Sequence, residues 1–341
     1  MRFDKYEWTA ISIMVSLFIL VGFVQGWSVS LVILNMCIIS AIMTMGVNIS
    51  WGYAGVINFG VMGFLAMGGL AAVLVSYPPV KEAWHVGGSG LGISFILLAA
   101  LVTAVYFITK LVEKKSHKYW LNGLVIFFGL IIIRYFFLNA TDKIEEVDPA
   151  LAGFLGGANL PIIFSWAVGG FFAGGVAFVI GKVALGLRSD YLAIVTLGIS
   201  EIVVSVLKHE EWLSRGVKNV IGLKRPVPYE INLQTSDWFI NMVTWFNSSK
   251  LSEIIDPDQK QEMLTNLVID SSSLFVKLNY AVLFFIVMIV IYYFANKAQV
   301  SPWGRMMRAI RDNEVSANAM GKDIVKQHLI IFVIGAAIVG V

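Results

Sequence analysis

The sequence predicts an all-α fold, a polytopic membrane helix bundle, and three observations carry that prediction. Of its 341 residues 58% are hydrophobic and only 14% are Asp, Glu, Lys or Arg, whereas a soluble domain carries about 25% charged residues. The mean hydropathy is +0.79. Apolar runs near 20 residues, the length needed to cross a hydrocarbon layer of about 30 Å, recur along the chain. Too little charge remains to coat a water-facing surface, which excludes a soluble enzyme and a disordered scaffold.

The first run, Thr9 to Val24, is followed by Gln25, Gly26 and Trp27 rather than by a small-residue cleavage site, so it reads as a retained span over about 8–25. Further spans are expected at about 28–48, 53–76, 91–112, 121–138, 161–187, 190–208 and 278–296, making eight complete crossings. A ninth begins near His328, and residues 330–341 would rise only about 18 Å, so it is expected to be truncated. The whole of 1–341 is read as one transmembrane domain with two notable connections, 209–277 and 297–327.

Charge orients the spans. Arg2 and Lys5, then Lys110, Lys114, Lys115 and Lys118, then Lys182 and Arg188, then Lys297, Arg305, Arg308, Arg311, Lys322 and Lys326 fall on one side by simple alternation. The acidic run from Thr141 to Asp148 and the 209–277 connection fall on the other. Cytoplasmic loops carry the Lys/Arg excess, so the N-terminus is expected in the cytoplasm and 209–277 outside. Within 209–277, Asp237 to Phe246 is rich in aromatics. It suits a short helix on the membrane surface, or equally a helix capping the bundle.

The net charge of +3 argues for no nucleic-acid partner. The lone Cys37 can form no intrachain disulfide, and His85, His117, His209 and His328 are too scattered for a metal site.

Three segments could carry function. The first is Gly52-Tyr53-Ala54-Gly55-Val56-Ile57-Asn58-Phe59-Gly60, continuing through Gly63, Gly68 and Gly69. Its glycines suit tight helix packing, or a broken helix lining a passage, where irregular backbone is tolerated. Asn58 requires a partner away from water. The second is Leu187 to Glu201, which includes Asp190 and Thr196. Glu201 lies about 16 Å along its helix, deep in the bilayer, where it is either paired within the bundle or lines a polar path. The third is Ser301 to Gly321. Ser301 is a candidate N-cap, Pro302 a first-turn residue and Gly321 a stop. Trp303, Met306, Met307 and Ile310 recur at helical spacing, so one amphipathic helix, or two short ones, lies against the inner membrane face.

Within that third segment Arg308-Ala309-Ile310-Arg311-Asp312-Asn313-Glu314, with Gly321, resembles the cytoplasmic coupling loop of ABC importer permeases, in particular the LivH/LivM family of branched-chain amino acid permeases. The run 52–72 resembles the family's GYAG segment, and Asp190-Tyr191-Leu192-Ala193-Ile194-Val195-Thr196-Leu197 through Glu201 resembles the LivM branch. The three occur in the family's order and span most of the chain. The sequence has Gly60-Val61 where the family often has Gly-His, and Ser214-Arg215-Gly216 where it usually has a Thr-Gly-Gly turn. Branched-chain amino acids and related solutes such as urea or short amides therefore stay open as cargo.

The resemblance implies a non-enzymatic transport subunit of a bacterial or archaeal inner membrane, working by alternating access. It implies a second permease subunit, a paralogue, together with two cytoplasmic ATPases and a periplasmic or lipid-anchored binding protein. No Gly-x-x-x-x-Gly-Lys-Ser/Thr loop occurs in the chain, so ATP and Mg²⁺ would sit in the partner ATPases. Arg308 to Glu314 and Gly321 would couple to those ATPases, with Met306, Met307 and Ile310 filling their groove and Arg311, Asp312 and Glu314 setting register. Gly52, Gly55, Asn58, Gly60, Thr196 and Glu201 would line the pathway. On residues alone, an ion-coupled secondary transporter is the alternative reading.

Overall fold

The structure, a computed structural model, describes residues 5–111, 115–148, 153–187, 189–252 and 256–341. Arg2, Lys114 and Arg188 of the basic clusters lie outside them. The described residues form helices and no strand: α1 (Lys5–Gln25), α2 (Trp27–Ala54), α3 (Val61–Ser76), α4 (Lys81–Leu111), α5 (Lys115–Glu145), α6 (Ile163–Ala184), α7 (Ser189–His209), α8 (Glu211–Ser214), α9 (Glu230–Gln234), α10 (Asp237–Phe246), α11 (Ser248–Ser252), α12 (Pro257–Val300), α13 (Pro302–Asp312), α14 (Glu314–Ala319) and α15 (Ile324–Gly340). Among them α1, α2, α4, α5, α6, α7 and α12 are long and apolar enough to cross a membrane, while α3 and α15 are shorter apolar helices. The chain packs as two compact units, one of Met1–Asn58, Ala177–Ala193 and Arg225–Val339, the other of Phe59–Val176, Ile194–Lys224 and Gly340–Val341.

In the first unit α2 packs on α1, α12 and α13. Ile38, Ile42 and Ala281 form its core with Leu34, Met45 and Phe284 around them. Helix α12 differs most from expectation. Its 44 residues rise about 66 Å, roughly twice the hydrocarbon thickness, so residues 257–277 are helix continuous with the span rather than loop. Asp256 caps it by accepting the Asp258 N–H at 3.1 Å, with Pro257 in the first turn. Val268 and Val276 bury one face of the early turns against Leu233, Phe239 and Val243. Lys277, whose charge delays the expected span to 278, bonds the Ser28 hydroxyl, and its carbonyl accepts from Asn35 Nδ2 at 3.1 Å. Helix α10 buries Phe239 and Val243 against this element, while Trp245 and Phe246 stay exposed.

In the second unit α4 and α5 form a long antiparallel hairpin around Ala83, Leu91, Ala140 and Ile144, with Trp212 packed against it. The acidic run begins inside α5, which continues to Glu145. Helix α3, at 16 residues, rises only about 24 Å. Its last carbonyls are satisfied by an extended segment: Ala158 N–H donates to Leu74 O at 2.9 Å, Leu160 N–H to Val75 O at 2.9 Å, and Asn159 N–H to Tyr77 O at 3.0 Å. A short helix can end inside a bilayer only when protein supplies such partners.

Candidate functional site

The 301–321 segment is built from its caps outward. Ser301 Oγ accepts the Gly304 N–H at 3.2 Å and Pro302 fills the first turn, so α13 starts where the sequence predicts. The turn from α12 into α13 is tight: a Cβ on Gly304 would sit 2.4 Å from the Gln299 carbonyl oxygen. The segment is two helices, because Asn313 adopts φ −157, ψ 95 and its side chain accepts the Ser316 N–H at 2.9 Å, which ends α13 and starts α14. Gly321, at φ +75, closes α14. Its N–H donates to Asn318 O at 2.9 Å and the Lys322 N–H donates to Ala317 O at 3.3 Å, the paired bonds of a Schellman stop.

Helix α13 is clamped to its own chain. Gly304, Met307 and Ile310 are buried, the last two completely. Met307 and Ile310 are therefore unavailable to fill a partner's groove, contrary to expectation. The reason is packing: residues three apart share a helix face, and this face covers the core. The Trp303 indole N–H donates to Gln327 Oε1 at 3.1 Å, tying α13 to α15.

The arginines on the exposed face also turn inward. Arg305 Nη1 donates to Val300 O at 2.9 Å and Arg308 Nη2 to Gln299 O at 3.4 Å, both at the C-terminal end of α12. Arg311 Nη1 donates to Gly52 O at 2.7 Å, near the end of α2, while its Nε and Nη2 donate to Asp312 Oδ1 at 3.0 and 2.9 Å. Carbonyl ends of helices carry partial negative charge and favour cations. Three arginines thus fasten α13 to the ends of two membrane helices.

What remains free for a partner is α14. It has no buried residue, and Val315 and Met320 are 82% and 80% exposed. Neither stood out in the sequence, because their exposure depends on which face α13 buries. Ala309, Asp312, Asn313, Glu314 and Gly321 are exposed beside them.

Of the two readings of the glycine-rich run, the chain shows a break in the helix, and it lies later than the 48–53 junction between the expected spans. Helix α2 continues through Ser50, Trp51 and Gly52 and ends at Gly55, which takes φ +72 and donates its N–H to Trp51 O at 2.9 Å. Residues 55–60 are non-helical up to the turn at Gly60, and α3 follows. A Cβ on Gly55 would lie 3.1 Å from Arg311 Cγ. We expect Gly55→Ala to cost about 1–2 kcal/mol through its left-handed backbone and to disturb the Arg311 clamp, read as a lower thermal unfolding midpoint in detergent. Asn58 is buried at 5% exposure and engaged by the protein.

The second unit joins α3 to α7 through a polar seam. Thr196, fully packed, accepts the Phe59 N–H on Oγ1 at 3.2 Å, and Ser200 accepts the Gly63 N–H on Oγ at 2.7 Å. The Gly63 N–H belongs to the first turn of α3, where helical partners are lacking, and the Phe59 N–H to the non-helical segment just before it. Gly63 permits the approach, since a Cβ there would lie 3.0 Å from Ser200 Oγ. Ser200, one helical turn after Thr196, is the residue the sequence reading missed; its i, i+4 spacing is the only signal. Gly60 is buried at the N-terminus of α3. Glu201 is exposed, turned about 100° from Ser200. The structure therefore groups Gly52 and Gly55 with the arginine clamp, and Gly60 and Thr196 with the seam, while Glu201 sits off the seam. Among the described residues no group of His, Cys, Asp and Glu could hold a metal ion.

Comparison with known proteins adds a family. A family model described as "Branched-chain amino acid transport system / permease component" matches residues 29–341. The high-affinity branched-chain amino acid transport system permease protein LivM of Escherichia coli K12 is 27% identical over 175 residues, 51% of this chain and 36% of that protein. LivM of Salmonella typhimurium LT2 is 27% identical over 173 residues, 50% of this chain and 36% of its own. The match thus spans about a third of the length of these relatives. No solved structure matches the chain.

Proposed function

The chain belongs to the family of branched-chain amino acid transport permease components, and from that premise we propose that it is the membrane-spanning permease subunit of an ATP-driven importer. Its cargo is a branched-chain amino acid, or a related small solute such as urea or a short amide, moved inward by alternating access. The bundle sits in a bacterial or archaeal inner membrane with its N-terminus in the cytoplasm. A paralogous permease subunit completes the pathway, a periplasmic or lipid-anchored binding protein delivers the solute, and two cytoplasmic ATPases hold ATP and Mg²⁺. This chain binds no cofactor and performs no catalysis itself.

The observation that carries this reading is the division of labour between α13 and α14. A force-transmitting element needs one part fixed to the membrane helices and one part open to the motor. Helix α13 supports the first role through Arg305, Arg308 and Arg311. Helix α14 with its C-cap residue, where Val315 and Met320 are exposed near Asp312 and Glu314, supports the second. The apolar tips would enter the ATPase groove while the charges set register. The basic clusters favour the cytoplasmic side for this segment.

The test is co-purification of the ATPase with the intact chain and labelled-solute uptake by the reconstituted complex. Val315→Asp with Met320→Asp should release the ATPase while leaving helix content and membrane insertion unchanged, because neither side chain supports the fold. Undiminished co-purification would rule out α14 as the docking element. Transport by the complete chain with no ATPase present would overturn the proposal as a whole, and uptake of leucine against urea identifies the cargo.

A further inference from the structure

Beside α13 the first unit holds a cavity of about 430 Å³. Ile49 of α2, Ala295 and Ala298 of α12, Met307 of α13 and Ile338 of α15 line it. The lining is apolar save for Gln299 and the polar tips of Tyr53 and Trp303. The Trp303 tip is already bonded to Gln327. Ligand pockets run from about 300 to 1,000 Å³, so the space suits a flexible aliphatic ligand. From the geometry we infer that the cavity holds an acyl chain of an anionic phospholipid, with the lipid's phosphate on Arg305 and Arg308. The inference requires only that α12 crosses a bilayer, and so stands apart from the transport reading.

The depth of the cavity selects the chain. Residues 278–296 of α12 carry no charged side chain and rise about 28 Å, close to the hydrocarbon thickness. Ile291, Phe294 and Ala295 are the last turns of that stretch and all line the cavity, which therefore lies in hydrocarbon just below the headgroups. Phe294 and Ile334, also in the lining, are exposed, so its open side faces acyl chains rather than water. Each methylene buried there favours binding roughly fourfold. Charge selects the headgroup. Between Asp270 and Asp312 the chain carries Lys277, Lys297, Arg305, Arg308 and Arg311 and no Asp or Glu. Arg308 Nη2 donates at 3.4 Å to the carbonyl of Gln299, itself in the lining, and Arg305 Nη1 donates at 2.9 Å to the next carbonyl, that of Val300. Both guanidinium groups are exposed and lack a carboxylate partner among the described residues. Each uses one of its five donors on a carbonyl, and the remaining fork matches a phosphate. A basic residue at a membrane surface favours anionic lipid roughly fivefold. A neutral lipid would fill the cavity but leave both forks without an anion.

Photolabelling tests this on the full chain with its partners, in phosphatidylcholine vesicles containing a trace of lipid with a diazirine on its acyl chain. Labelled phosphatidylglycerol should form adducts on Ile291, Ala298 and Ile338 roughly 25-fold more than labelled phosphatidylcholine, fivefold for each arginine. Adducts on Phe127 and Phe128 of α5, which are exposed, report bulk lipid and should show no such preference. Ala298→Phe fills the cavity and should abolish the adducts on Ile291 and Ile338 while sparing those on α5. If that variant fails to insert, Ala295→Phe fills the same space. Arg305→Gln with Arg308→Gln should erase the preference for phosphatidylglycerol and leave labelling by phosphatidylcholine unchanged. Equal labelling by the two lipids, adducts that survive the filled cavity, or a preference that survives loss of both arginines would each overturn the site. So would an absence of cavity adducts, which would mean that protein covers the space or that nothing enters it. No step measures uptake, so failure of the permease reading leaves the test intact.

Discussion

Arg311→Glu is expected to lower solute uptake by the assembled transporter roughly tenfold or more, since a hydrogen bond to a charged group is worth about 1.5–3 kcal/mol and each 1.4 kcal/mol is a factor of ten. The guanidinium joins two elements: Nη1 donates to Gly52 O at the end of α2, and Nε and Nη2 donate to Asp312 where α13 ends. A carboxylate there faces the carbonyl end of α2, where negative charge is disfavoured, beside Asp312 of like sign. The clamp then opens, and movement of α13 no longer pulls the end of α2, whose next residues lead through 55–60 into α3. ATP hydrolysis by the partner should persist, uncoupled from transport. Arg311→Lys should retain only part of the function, because an ammonium cannot reproduce the fork that holds both partners. The site is exposed and leaves the core intact, so helix content should stay near that of the unmodified chain, with the thermal midpoint lowered only by the loss of the clamp bonds. Normal uptake by Arg311→Glu would exclude the clamp as the coupling route.

The second large effect is structural. Gly46 of α2 and Gly335 of α15 cross at backbone contact: a Cβ on Gly46 would lie 2.8 Å from the Gly335 carbonyl oxygen, and one on Gly335 would lie 2.7 Å from that of Gly46. Neither neighbour is a flexible side-chain tip, so the helices themselves would have to separate. Overpacking costs about 1–3 kcal/mol, and backbone contact on both sides puts Gly46→Val at the upper end. Its separation would also draw α15 away from α13, to which Gln327 is bonded through Trp303. We expect a sharply lower thermal midpoint and loss of monodisperse protein in detergent. Gly175→Val serves as the control, since nothing lies within 4 Å of a Cβ there. Equal behaviour of the two variants would mean that the crossing tolerates separation.

Much of this architecture was legible without coordinates, and the places where it was not have identifiable causes. Ser301, Pro302 and Gly321 were readable as start and stop because capping is local chemistry, decided by a side-chain oxygen or a left-handed backbone within a few residues. The break after Gly55 was anticipated but set too early, since glycine content marks flexibility without saying which glycine takes φ +72. The length of α12 was hidden because Lys277, in its first half, finds a partner on α2 that no hydropathy window can register.

The candidate residues divide along the same line. Arg308, Arg311 and Glu201 are visible as charges in unusual positions, but which way each turns depends on the elements packed around its helix. Met307 and Ile310 look like a docking edge from spacing alone, and they are core. Val315 and Met320 look unremarkable, and they are the exposed tips.

By itself the sequence determined that this is a membrane bundle, where the helices of the 301–321 segment begin and end, and which family it resembles. Those properties follow from composition and from interactions between near neighbours in the chain. Only the tertiary structure decided that α13 is fastened by arginines to the ends of α2 and α12, that Thr196 and Ser200 close α3 onto α7, and that Glu201 stands outside that seam. Such facts depend on donors and acceptors meeting across large sequence separations, and a helical repeat specifies a face without naming its neighbour.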